Sequence, residues 1–107
     1  GIDYFIHCIN TIKYDNIYIG SDNFNDELIK KIKTLYPSVI FIDKNPIETI
    51  QFGSTCKNII LSHGSFSAVI GYLAFFSNVY FKNKESGYYP LGPLGMFKNK
   101  GFIPVNL

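Results

Sequence analysis

Arginine and tryptophan are both missing from this 107-residue chain; methionine occurs once and cysteine twice. Without Arg the chain has no planar fork of N–H donors for bidentate capture of a carboxylate or phosphate. Any anion it holds is therefore held by Lys, hydroxyls or backbone amides. Long apolar runs are lacking as well. None reaches the roughly eighteen residues of a membrane span, and no signal-peptide pattern opens the chain. Charge of one sign is scarce too: ten Lys against eight Asp and Glu leave a scattered net charge of +2. That balance argues against a nucleic-acid or membrane-surface partner recruited by electrostatics. Cys8 and Cys56 form neither a metal-ligand cluster nor a disulfide framework, and read as small buried residues of a reducing, cytoplasmic compartment.

What the chain does have is Ile, Asn, Lys, Tyr and Phe, which together make up about half of it. This bias suits an AT-rich coding sequence and says little about fold. The composition is uniform, and a chain of this size buries roughly two-thirds of its unfolded surface, enough for one modest core.

Apolar periodicity alternates regularly. Phe5, Ile6, Ile9 and Ile12 share a helical face within Tyr4 to Ile12. Asn16 to Ser21 is short, β-branched and aromatic, which suits a strand. Asn25 stands as an N-cap before Asp26 and Glu27, opening a helix that buries Leu28, Ile29, Ile32, Leu35 and Tyr36 and stops at Pro37. Val39 to Asp43 reads as a strand covered on both faces. Asn45-Pro46-Ile47-Glu48 starts a third helix, with Pro at the first position and Glu48 as the acidic member of a capping box. Asn58 to Ser62 is a strand, His63-Gly64 a turn, and Ser65 to Phe76 a helix apolar nearly all round, hence buried on most sides. Asn78 to Phe81 closes the pattern.

Strand starts about twenty residues apart, each pair separated by a helix, predict right-handed crossovers. The expected fold is α/β: a three-layer Rossmann-like domain over residues 1–83, with a parallel sheet of about four strands. Residues 84–107, rich in Gly and Pro but carrying Tyr88, Tyr89, Met96 and Phe97, form a loop-rich tail expected to pack on the domain or on a partner. The chain opens on a helix that should cross over from an earlier strand, which suggests a piece of a larger protein; Gly1 in place of Met suits a processed chain, a tag remnant or a cut from something longer.

In an open parallel sheet, ligands bind beyond the carboxyl ends of the strands. Those ends carry Ser21 and Asp22, then Asp43, then His63, Gly64, Ser65, Phe66 and Ser67. The last set combines a Gly turn, two hydroxyls and a helix N-terminus whose free amides favour an anion, which makes an Arg-free phosphate site. Ser65 equally suits a plain helix cap, Ser67 a bond to its own helix, and Asp22, Asp43 and Glu48 ordinary turn and cap roles. His63 is an acid-base candidate with no carboxylate placed in sequence to orient it, and His7 reads as structural. No metal-ligand spacing and no G-x-S-x-G elbow is present, so neither a metal nor a catalytic serine is expected, and a catalytic residue is left unassigned.

The segments Ile17-Tyr18-Ile19-Gly20-Ser21-Asp22, Ile47-Glu48-Thr49-Ile50, and Cys56-Lys57-Asn58-Ile59-Ile60-Leu61-Ser62-His63-Gly64-Ser65-Phe66-Ser67 carry a resemblance. Over residues 4 to 82 the chain resembles the C-terminal half of GT-B glycosyltransferases, most closely the α-1,2-fucosyltransferase family. The resemblance implies a GDP-sugar donor such as GDP-fucose, bound without a metal or other cofactor, with a glycan acceptor in the complete protein. Ser65, Phe66 and Ser67 would approach the diphosphate, Asp22 the nucleoside or sugar, and Glu48 the guanine. The family's His-x-Arg-x-Gly-Asp-type segment has no counterpart here; it would lie upstream, in a missing N-terminal lobe or partner chain. Ala68 and Val69 replace the family's aromatic pair, and His63-Gly64 is similar to the turn of GT-B enzymes that use UDP-sugars. Four functions thus compete: an incomplete sugar transferase, inactive as this chain; a non-catalytic α/β module binding a nucleotide or a partner; a UDP-sugar enzyme fragment; and a small enzyme of another phosphate-handling class, which the missing acid-base residues disfavour.

Overall fold

The computed structural model describes residues 2–62, 65–82, 88–89, 92–93 and 101–106. The chain is a mixed α/β protein that divides into two units, Gly1–Thr49 and Ile50–Leu107, with the division inside a helix.

In the first unit, α1 (Ile2–Thr11) buries Tyr4, Cys8 and Ile9. Its inner face is therefore set one step away from the Phe5 and Ile6 stripe expected from periodicity, and those two side chains are half-buried. The Thr11 hydroxyl closes the helix by donating to the His7 carbonyl at 2.9 Å. Two short strands, β1 (Tyr18–Ile19) and β2 (Ile40–Phe41), pair in parallel, Tyr18 opposite Ile40 and Ile19 opposite Phe41. Between them runs α2 (Glu27–Leu35), with Ile29 and Ile32 inward. Its N-cap is Asp26, whose carboxylate accepts the Leu28 N–H at 2.9 Å, and not Asn25 as expected. The cap moves on by one because Asn25 is already held in a turn, its N–H donating to Asn23 Oδ1. At the other end the Lys33 ammonium donates to the Pro37 carbonyl at 2.7 Å, a cation on the free carbonyls beyond the helix. The Tyr36 hydroxyl donates to Asn10 Oδ1 at 3.1 Å, tying the end of α2 to α1.

The helix α3 (Pro46–Gly53) starts as its sequence predicts: Asn45 Oδ1 accepts the Glu48 N–H at 2.8 Å. It ends at Gly53, three residues short of the expected Cys56.

The second unit holds β3 (Asn58–Ile60), α4 (Ser65–Leu73), β4 (Asn78–Lys82) and β7 (Ile103–Val105), together with a short antiparallel pair, β5 (Tyr88–Tyr89) and β6 (Gly92–Pro93). Strands β3, β4 and β7 form one parallel sheet in that order. The end of the presumed tail is thus a strand, paired with β4 through Tyr80 opposite Ile103 and Phe81 opposite Pro104. Gly101, at φ +76°, makes the left-handed turn that leads into it. Leu61, Ala74, Val79, Phe81 and Phe102 make the core, with Phe81 fully buried and Leu61 1 % exposed.

The expected single sheet of about four strands is replaced by a two-stranded and a three-stranded parallel sheet. One cause is visible in the first unit: β1 spans two residues because the chain after Gly20 spends its hydrogen bonds on local turns. Three expectations of burial also fail. Leu35 of α2 is exposed. Ile40 and Phe41 of β2 are exposed, and α4 leaves Val69, Tyr72 and Leu73 on an open side, followed by the exposed Phe75 and Phe76. Gly71 lies on the inner side of α4. A Cβ on Gly71 would lie 3.0 Å from both Leu61 Cδ1 and Val79 Cγ1, so the helix rides close to the sheet and a side chain there would make those methyls give way.

Filling that gap or emptying the core should therefore be costly, and trimming the open side should not. Gly71→Val is expected to destabilise by about 1–3 kcal/mol through overpacking, and Phe81→Ala by about 3–5 kcal/mol. Val69→Ala should change stability by under about 0.5 kcal/mol. Urea unfolding of the three variants checks the order.

Candidate functional site

The residues singled out in the sequence fall into two groups, one in each unit. Because β1 and β2 are parallel, Gly20 to Asp22 and Ile42 to Asp43 leave their sheet from the same end. The first turn of α3 joins them there: a Cβ on Gly20 would stand 3.4 Å from Thr49 Cγ2. The buried Thr49 hydroxyl donates to the Asn45 carbonyl at 2.9 Å, which fixes that turn. Ser21, Asp22, Asp43 and Glu48 thus belong to one end of one small sheet.

The bonds at this end explain its sequence locally. Ser21 Oγ accepts the Asn23 N–H at 3.0 Å, Asn23 Oδ1 accepts the Asn25 N–H at 3.0 Å, and Asp26 caps α2. Ser, Asn and Asp at alternate positions satisfy successive amides of an irregular connection, as short polar side chains do in turns. Asp22, Asp43 and Glu48 are exposed carboxylates. Glu48 shows its backbone as the amide partner of Asn45, the half of the capping box that the structure supports. Asn23 and Asn45, polar residues at the strand ends, shape this end through their side-chain oxygens, and their signal is the alternation S-D-N-F-N-D and the Asn before Pro46; Thr49, which also shapes it, carries no such signal.

The second group follows β3. His63 and Gly64 lie outside the described residues, so the expected turn there has no structural account. Ser65 and Phe66 are the first two residues of α4, as their sequence predicts, and Ser67 is the third. Ser67 is half-buried and its Oγ accepts the Ser62 backbone N–H at 3.0 Å. The Ser67 oxygen therefore reaches back to the end of β3. At the opposite end of this sheet, the Asn78 amide donates to Asn58 Oδ1 at 3.1 Å and the Ser77 hydroxyl donates to the Cys56 carbonyl, which aligns the starts of β3 and β4.

Among the described residues there is no group of three or more His, Cys, Asp or Glu side chains able to hold a metal ion, and no helix is long and apolar enough to cross a membrane. Cys8 and Cys56 are free thiols. Burial pushes the Cys8 thiol up to about 11 and raises that of Cys56 as well. Neither is suited to act as a nucleophile, since the thiolate is the reactive form. No protein-family model matches the chain, and neither a curated protein nor a solved structure does.

The thiols yield a test with a definite sign. The folded protein keeps on Cys8 a proton that the unfolded chain releases near its ordinary value of 9.0. Its stabilising contribution is thus whole below that pH and is lost as pH rises through 9 toward about 11. Urea midpoints should fall over that window, and the fall should shrink in Cys8→Ala. At pH 8, iodoacetamide should modify Cys56, which is half-buried, before Cys8, which is 1 % exposed.

Proposed function

We propose that this chain is the donor-binding part of a glycosyltransferase, similar to α-1,2-fucosyltransferases, in which Rossmann-like layering holds a GDP-sugar without a metal. The observation that carries the reading is the junction of β3 and α4. A segment resembling the family's Cys-Lys, apolar strand and Ser-Phe-Ser run is here a parallel strand followed by a helix that starts at that very Ser65. Anions are favoured at such a helix start, where backbone amides lack intrahelical partners and the helix dipole is positive. A chain without Arg needs a device of that kind.

In the proposed reaction, the bond between the sugar's anomeric carbon and the diphosphate oxygen breaks while an acceptor hydroxyl attacks from the opposite face. The acceptor's proton passes to a base supplied outside the residues assigned here. The diphosphate leaves as an anion toward the first turn of α4, where amides and hydroxyls stabilise the developing charge. Two free thiols support a reducing compartment for the protein.

The second reading, a non-catalytic module that binds a partner, is favoured by one observation: Phe75, Phe76, Tyr72 and Leu73 are exposed in succession beyond the middle of α4. Titration of the ¹⁵N-labelled chain with GDP, UDP and ATP in the absence of Mg²⁺ separates the two. GDP is expected to move the amide signals of residues 62–67 most, with weak affinity. No change in that segment with any nucleotide would discard the donor site in favour of the module.

A further inference from the structure

Strand β7 stands at one side of the β3–β4–β7 sheet and carries a proline at its centre. The pairing tells which way that proline faces. The Leu61 N–H donates to the Tyr80 carbonyl at 2.9 Å, so the backbone polar groups of Tyr80 point toward β3. Successive residues of a strand point theirs to opposite sides, and those of Phe81 therefore point toward β7. Phe81 stands opposite Pro104 in parallel register. In a parallel ladder such a residue bonds to the neighbours of the residue opposite, here Ile103 and Val105. The nitrogen and carbonyl of Pro104 are thus turned away from β4, to the outer side of the sheet. A proline turned inward would leave the ladder short of a donor.

That outer side is where another strand would pair. Among the described residues β7 pairs with β4 alone, and both Ile103 and Pro104 are exposed, while Phe102 and Val105 anchor the strand in the interior. Edges of this kind are usually guarded by charge, by a bulge or by proline. Residues 101–107 hold no Lys, Asp or Glu, so charge does not guard this one. We infer that Pro104 closes the edge: it stops the sheet from extending through β7 onto a second copy of the chain. Two copies of one edge would meet antiparallel about a two-fold axis, each central residue exchanging N–H and C=O with its twin. With proline at both centres, neither copy has a donor there. The inference stands whether or not the chain binds a nucleotide.

The test compares the whole 107-residue chain with Pro104→Val by sedimentation velocity over a range of concentrations. Two donors are restored per pair, so Pro104→Val should self-associate at least about tenfold more strongly than the wild type. Exchange of the residue 104 amide should slow as concentration rises, which association through another surface would not produce. Adding Ile103→Lys should return association to the wild-type level by placing a charge on the edge. Association equal to that of the wild type, or stronger association with no protection at residue 104, would overturn the inference. Should Pro104→Val not fold, Pro104→Ala and the wild-type Val105 amide decide. Slow exchange at Val105, with stronger association of Pro104→Ala, supports the closed edge. Exchange at Val105 as fast as in residues 20–25 contradicts it, because Pro104 would then not face outward.

Discussion

Close approach of α4 to its sheet is the constraint on which the second half of this protein depends. A helix of nine residues can cover a three-stranded sheet only by lying near it, and Gly71 allows that: any larger residue there would press into Leu61 and Val79. Those two side chains, with Phe81, Ala74 and Phe102, form the buried cluster of the unit. The same packing determines where the first turn of α4 stands relative to the end of β3. The start of α4 near the end of β3 is therefore a consequence of core packing.

Much of this order was legible in the sequence. The alternation of strands and helices, the start of α3 at Asn45-Pro46 and the start of α4 at Ser65 follow from local chemistry: caps, a proline at the first helical position, and β-branched runs. Local chemistry does not decide which strands share a sheet. Residues 103–105 carry Pro104 within a Gly- and Pro-rich stretch, and nothing local to Ile103-Pro104-Val105 announces a third parallel strand beside β4. Its place comes from long-range burial, with Phe102 and Val105 drawn into the interior. Periodicity likewise identified α4 as apolar on every side but could not tell which side the sheet would take. The side with Gly71 faces Leu61 and Val79.

The candidate site divides along similar lines. Ser21, Asn23 and Asp26 act on neighbouring amides, so their roles are short-range and readable once the turn is recognised. Ser67 acts across five residues, and its partner could not be chosen from sequence among its own helix, a ligand and the preceding strand. The lack of Arg, an oddity of composition at first, leaves amides, hydroxyls and Lys as the groups with which this chain can meet an anion.

The parallel β3–β4–β7 sheet under α4 is the central structural claim, and native-state hydrogen exchange examines it most directly. Amides within residues 59–61 and 79–81 should be the slowest in the chain, Leu61 among them, with residues 103–105 following and the polar connection at residues 20–25 exchanging fast. Exchange at Leu61 and Phe81 as rapid as in that connection would contradict the account, because the core and the junction it positions would then not exist.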